Sequence, residues 1–153
     1  MSTRDRPPEN PVVLSIRPKF IDRILDGRKT IELRRRFPVT TQGDRAIALL
    51  YSTSPIQSIV AVANLRSVTE LPVHALWRQF GAAAAVTRDE FDAYFQGVSS
   101  GYALRLTSVK QLVKPIHLTD LASKFEFSPP QSYCYWKRPL PRSAANAHSE
   151  ITA

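Results

Sequence analysis

The chain has 153 residues, 43% hydrophobic and 22% charged, which suits one compact domain and excludes two full ones. Its net charge of +8 favours a polyanionic partner, because each phosphate that is neutralised releases condensed counterions. The longest apolar runs are far below the ~20 residues of a membrane span and the N-terminus lacks a signal peptide, so we predict a cytoplasmic protein without membrane contact.

The two ends of the chain differ in character from the part between them. Residues 1–10 and 139–153 are polar, contain prolines and show no hydrophobic periodicity. Such segments bury too little apolar surface to offset their conformational entropy. We therefore predict a flexible tail at each end and a folded domain at 11–138.

The first half of the domain contains four predicted strands and one helix. A β-rich run predicts a strand at 12–16, and Pro18 then begins a helix that Gly27 ends. Strict alternation predicts a second strand at 30–34. Further strands are predicted at 46–52 and 58–68.

The second half adds a pair of helices before the next strand. A helix is predicted at 73–80, and a capping-box pattern from Thr87 opens another that runs to Gln96. An alternating strand at 101–113 and a short helix at 118–125 follow. Because most strands lack helical crossovers, we predict an α+β fold: a small mixed β-barrel of five or six strands, with a helix after the first strand and a helical insertion before the last.

The positive charge is concentrated in one part of the chain. Residues 17–45 contain nine Lys or Arg and four Asp or Glu, so this stretch contributes +5 of the net charge of +8. Within it, the segment 27–34 places Lys29 at a turn and projects Glu32 and Arg34 from one face of the next strand. Two cations suit phosphate or carbonyl oxygens, and a carboxylate suits a base amino group. A solvated charged strand face is an equally good interpretation of the spacing alone.

The stretches LSIRPKF (14–20) and ILDGRKTIELRRR (24–36) contain the pattern Gly-x-Lys-x-x-Glu-x-Arg after a helix. This pattern resembles the signature of the ASCH domain family, in the branch labelled predicted transcriptional regulators. YSTSP (51–55) and PPQSY (129–133) also fit that branch, and the resemblance covers about residues 12–138.

The resemblance implies a PUA-like β-barrel whose cleft binds RNA or a modified nucleotide, and it suggests a role in regulating transcription or translation. One branch of the superfamily hydrolyses N4-acetylcytidine, using the motif lysine, a threonine and a downstream glutamate. Here Glu32 occupies the position of that threonine, and Thr30 is the remaining hydroxyl of the motif. Other members are reported to cleave RNA.

Two hypotheses therefore stay open, a nucleic-acid-binding module and a hydrolase acting on N4-acetylcytidine or on RNA phosphodiesters. The residues predicted to bind nucleic acid are Arg17, Lys19, Lys29, Glu32, Arg34, Arg35, Arg36, Tyr51, Ser54 and Tyr133. Tyr51 is equally suited to the core. In the enzyme hypothesis Lys29 is the base and Glu32 its partner, although Glu32 is expected to keep Lys29 charged.

The expected partner is RNA or a nucleotide, with DNA as a further option, and the oligomeric state is left open. No cofactor is predicted. A single cysteine and three scattered histidines also argue against a metal site. The aromatic residues of the two inserted helices, among them Phe91, Tyr94 and Phe95, are spaced as helix core and are assigned no ligand.

Overall fold

The computed structural model describes residues 10–43 and 46–152. Its strands are β1 Val12–Ile16, β2 Ile31–Arg34, β3 Ile47–Ser52, β4 Ser58–Pro72, β5 Ser100–His117 and β6 Tyr133–Tyr135. Its helices are α1 Pro18–Leu25, α2 Val73–Ala84, α3 Arg88–Phe95, α4 Leu118–Phe125 and α5 Arg142–Thr152. None of these helices is long and apolar enough to cross a membrane.

The strands form one mixed sheet in the order β2-β5-β4-β3-β1-β6. β1 pairs with β3 in parallel, and the other neighbours are antiparallel. Several register shifts interrupt the long β4–β5 ladder, and such bulges bend and twist a strand. The sheet is thereby curled into a half-barrel, which confirms the predicted α+β class.

Alternation along the strands divides the core between the two faces of the sheet. Val12 and Leu14 pack inside the curl, whereas Val13 packs on the outer face with Trp136. A third apolar cluster joins α2 and α3 to Ile31 and other residues of β2. The third cluster places the two inserted helices beside the motif strand.

The helical insertion is present as predicted, but its position relative to the last strand is different. α2 and α3 lie between β4 and β5, and the short strand β6, which was not predicted, follows later. Three residues are too few for a periodic signal, and β6 exists because it pairs with β1.

The prediction of a flexible tail at 139–153 differs from the structure. Helix α5 covers most of this segment and packs on β4 and β5, with Ala144 and Ala147 buried in the outer core. Ser143 Oγ also donates to the carbonyl of Lys114 at 2.6 Å. Small apolar residues three to four positions apart form the buried stripe, which the polar composition of the segment concealed. The N-terminal tail predicted at 1–10 lies, except for Asn10, outside the described residues.

Candidate functional site

The candidate site lies at the seam where the two edges of the curled sheet approach each other. Arg34, at the end of β2, spans this seam. Its Nη1 donates to the carbonyl and hydroxyl of Ser132 at 3.0 and 3.1 Å, and its Nη2 donates to the carbonyl of Ser15 at 3.0 Å. Aromatic contact between Phe37 and Tyr133, with ring centroids 4.9 Å apart, closes the seam further.

The three motif side chains converge at this seam and are buried. Lys29, Glu32 and Arg34 are 2%, 7% and 5% exposed. Glu32 lies between the two cations, with its Oε1 3.6 Å from Lys29 Nζ and its Oε2 3.4 Å from Arg34 Nη2. The alternative of a solvated charged face is therefore wrong for these side chains. In such a buried cluster each charge is compensated by its neighbours, and removing one of them leaves an uncompensated buried charge.

The environment of Lys29 determines the direction of its pKa shift. Removal of the ammonium from water lowers the pKa of Lys29, and the charge of Glu32 opposes this shift only in part. Glu32 favours the charged form of Lys29 as expected from the sequence, and the burial that opposes it comes from the tertiary structure. Lys29 Nζ also donates to the carbonyl of Ala84 at 2.8 Å, which ties the motif to the end of α2.

A cleft of about 1190 Å³ opens above these side chains. Its lining includes most of the residues predicted to bind nucleic acid, namely Arg17, Lys19, Lys29, Glu32, Arg34, Arg35, Arg36 and Tyr133. The cations at its rim are exposed, whereas the motif side chains form its floor. The cleft thus combines exposed positive charge with a buried charged cluster.

The family model for the ASCH domain matches residues 14–126. The chain belongs to the ASCH domain family. A relative named ASCH domain-containing ribonuclease, from Zymomonas mobilis, is 29% identical over 96% of this chain and 98% of that protein. The crystal structure of ASCH from Zymomonas mobilis is similar with a TM-score of 0.76, at 28% identity, over 92% of this chain and 94% of that one. The crystal structure of a serine-to-alanine variant of that protein is similar with the same TM-score of 0.76, at 27% identity, over 95% of this chain and 99% of that one.

Two predicted binding residues of this ASCH domain lie outside the cleft. Tyr51 is 2% exposed and packs in the outer core, where burial raises the pKa of its hydroxyl. β3 is buried on both faces, so the sequence pattern did not determine which face Tyr51 takes. Ser54 is exposed in the turn after β3 and does not line the cleft.

Thr30 is also absent from the lining of the cleft. It precedes the first residue of β2 and borders a separate depression of about 430 Å³. The strand predicted at 30–34 thus begins one residue later, at Ile31.

Ser132 and Tyr94 are among the cleft residues that the sequence did not single out. Ser132 reaches Arg34 from 98 positions along the chain, and no spacing rule links the two. Tyr94 lines the cleft, although its spacing in the helix predicted a position in the core.

Among the described residues, no group of three or more His, Cys, Asp or Glu is arranged to hold a metal ion.

Glu90 connects the inserted helices to α1 at the rim of the cleft. Its carboxylate accepts from Lys19 Nζ at 2.8 Å and from Arg23 Nη1 at 3.2 Å, and it completes the capping box of α3 with Thr87. The bond from Lys19 and the backbone N–H of Thr87 lower the pKa of Glu90 from 4.5 to about 2. A lowered carboxyl pKa stabilises the fold at pH values above the unfolded pKa, and this contribution is lost as the pH falls towards 2.

We expect Glu90→Gln to lower the free energy of unfolding at neutral pH by about 1 kcal/mol or less, because solvent screens ion pairs near a surface. Glutamine keeps the capping geometry and removes only the charge. Urea unfolding of both proteins from pH 7 to pH 2 should show the difference shrinking below pH 4.5. Asp92→Asn, which removes an exposed pair with Arg88, is the matched control. A difference that stays constant with pH would contradict the assignment.

Proposed function

We propose that this ASCH domain protein binds RNA in the cleft and cleaves its phosphodiester backbone. The observation that carries the proposal is the buried Lys29, Glu32 and Arg34 cluster on the floor of a cleft with exposed cations at its rim. A role in regulating transcription or translation and a cytoplasmic location stay predictions.

The rim supports the binding of a polymer. Arg17, Arg35 and Arg36 are exposed along the same cleft as the buried cluster, so several phosphates of one strand have cationic partners. The cleft volume of about 1190 Å³ exceeds the ~300–1,000 Å³ of pockets that enclose a single small ligand. Both features favour a polynucleotide over a free nucleoside.

The floor of the cleft supports cleavage. In the reaction that we propose, the 2′-hydroxyl of a ribose loses its proton and attacks the adjacent phosphorus. The bond from phosphorus to the 5′-oxygen breaks, the 5′-oxygen takes up a proton, and a 2′,3′-cyclic phosphate remains. Lys29, whose pKa burial lowers, is the candidate for proton exchange, with Glu32 holding its orientation. Arg34 lines the same cleft, and in the proposed reaction its positive charge stabilises the negative charge that develops on the phosphate.

The name of the Zymomonas mobilis relative, ASCH domain-containing ribonuclease, supports the choice of RNA cleavage over amide hydrolysis. The position of Thr30, the remaining hydroxyl of the motif, outside the lining of the cleft also favours RNA cleavage over a threonine-dependent hydrolysis of N4-acetylcytidine. In the proposed reaction DNA binds without being cleaved, since it lacks the 2′-hydroxyl.

The binding part of the proposal predicts a steep dependence of affinity on salt. Contact with about five phosphates gives a log–log slope of roughly −3.5 for a single strand, and the double variant Arg35→Gln/Arg36→Gln should reduce it to roughly −2.1. Fluorescence anisotropy with a labelled oligonucleotide at several salt concentrations measures both slopes. Arg142→Gln is the control, because Arg142 is exposed at the start of α5, outside the cleft. Equal slopes for the double variant and the unmodified protein would place the contact surface elsewhere.

A further inference from the structure

Tyr94 is an aromatic residue of the cleft whose side chain is partly exposed to solvent. It belongs to α3 and lines the cleft with 41% of its surface exposed. Its helical neighbours Phe91 and Phe95 are buried in the cluster that joins α3 to β2. The exposed ring of Tyr94 is therefore not explained by packing of the helix.

Tyr94 is held in place from two sides. Its ring meets the ring of Phe95 edge-on, at 4.9 Å between centroids and an angle of 81°. Its hydroxyl accepts from the backbone N–H of Arg35 at 3.3 Å, and Arg35 Nη1 lies 3.5 Å from the Tyr94 carbonyl. An aromatic face that is fixed before binding loses little conformational entropy when a ligand stacks on it.

The other aromatic residues of the cleft are less available. The ring of Phe20 has Lys19, Arg23 and Lys29 within 4.9 to 5.4 Å of its centroid. Tyr133 is half-buried against Phe37. Tyr94 is accordingly the ring in the cleft best placed to receive a flat ligand.

We infer that Tyr94 and Arg35 form a nucleotide subsite, in which an unpaired base stacks on the Tyr94 ring and Arg35 binds an adjacent phosphate. The inference rests on the proposed function and specifies single-stranded RNA as the substrate class, since both faces of a base within a duplex are already covered. Stacking of this kind tolerates all four bases, because each has a π-face. The subsite thus positions a single strand without discriminating between the four bases.

The test compares the affinities of Tyr94→Leu and Tyr94→Phe for a labelled single-stranded RNA at fixed salt. Loss of one stacked base weakens binding about tenfold, so we expect that loss for leucine and near-normal affinity for phenylalanine. The salt slope should be the same in Tyr94→Leu as in the unmodified protein, because no cation has been removed. The control is Tyr135→Leu, since Tyr135 is 38% exposed but does not line the cleft. Double-stranded RNA should bind at least tenfold more weakly than the single strand.

A second measurement uses only the unmodified protein and so does not depend on a variant that folds. Oligonucleotides with an abasic site at each position in turn should show one position at which affinity falls about tenfold. Equal affinity at every position, or equal affinity of Tyr94→Leu and the unmodified protein, would overturn the subsite while leaving RNA binding intact. Absence of RNA binding by the unmodified protein would instead overturn the proposed function together with the subsite.

Discussion

Replacing Lys29 with methionine is expected to lower the rate of RNA cleavage about 100-fold or more. A positioned proton-transfer group contributes about 10²- to 10⁴-fold to a rate, and Lys29 is the amine whose pKa burial lowers beside Glu32. Methionine keeps an unbranched apolar stem, so the packing of the buried side chain changes little. Arg34 remains beside Glu32 in this variant, which leaves the carboxylate one cationic partner.

The measurement is a single-turnover assay with excess protein and an end-labelled RNA, so that a change in affinity does not alter the rate. Lys19→Met makes the same chemical change at an exposed lysine of the same cleft and should leave the saturated rate within about twofold of normal. The product should end in a 2′,3′-cyclic phosphate, and RNA methylated at the 2′-oxygen should not be cut. An unchanged rate for Lys29→Met would remove Lys29 from the proposed reaction, and linear phosphate ends would remove the 2′-hydroxyl.

Replacing Arg34 with alanine is expected to have the largest effect on stability, a loss of about 3–5 kcal/mol in the free energy of unfolding. The truncation leaves the buried Glu32 carboxylate with one cation fewer, and breaking a buried ion pair in this way is strongly destabilising. It also removes the guanidinium whose Nη1 donates to the carbonyl of Ser132 and whose Nη2 donates to the carbonyl of Ser15 across the seam. Unpaired buried acceptors carry a further cost.

Urea unfolding followed by circular dichroism measures this loss, and Arg36→Ala is the matched control because Arg36 is exposed two positions away on the same segment. The control should change stability by less than about 0.5 kcal/mol. Arg34→Lys should fall between the two, since lysine keeps the charge but cannot reach both edges of the seam with a planar fork. A loss for Arg34→Ala no larger than that for Arg36→Ala would show that the seam does not depend on this guanidinium.

Much of the fold was predictable because its signals are local. β1 and β2 follow from short alternating or β-rich runs, and the capping box at Thr87 is a pattern within four residues of one chain. The convergence of Glu32 and Arg34 was predictable for the same reason, since the pleat of a strand places residues two apart on one face. Local geometry alone accounts for these parts of the site.

The remaining features were decided by segments that are distant in the sequence. Ser132 lies beside Arg34 only because the sheet curls, and β6 forms only because β1 supplies its partner. Whether an aromatic ring is core or surface also depends on what covers it, which is why Tyr51 is buried and Tyr94 is open. Periodicity describes which side of an element a residue occupies, whereas the tertiary packing determines what lies on that side.

The charged cluster of Lys29, Glu32 and Arg34 shows most clearly which features follow from the local sequence and which follow from tertiary packing. The sequence by itself determined that two cations and a carboxylate lie together, because they are separated by only a few residues of a turn and a strand. Only the tertiary structure decided that these charges are buried, since the walls of the cleft come from α1, α3 and the segment before β6. Burial also determines the direction of the Lys29 pKa shift, which is downward because the loss of solvent around the ammonium outweighs the one neighbouring carboxylate.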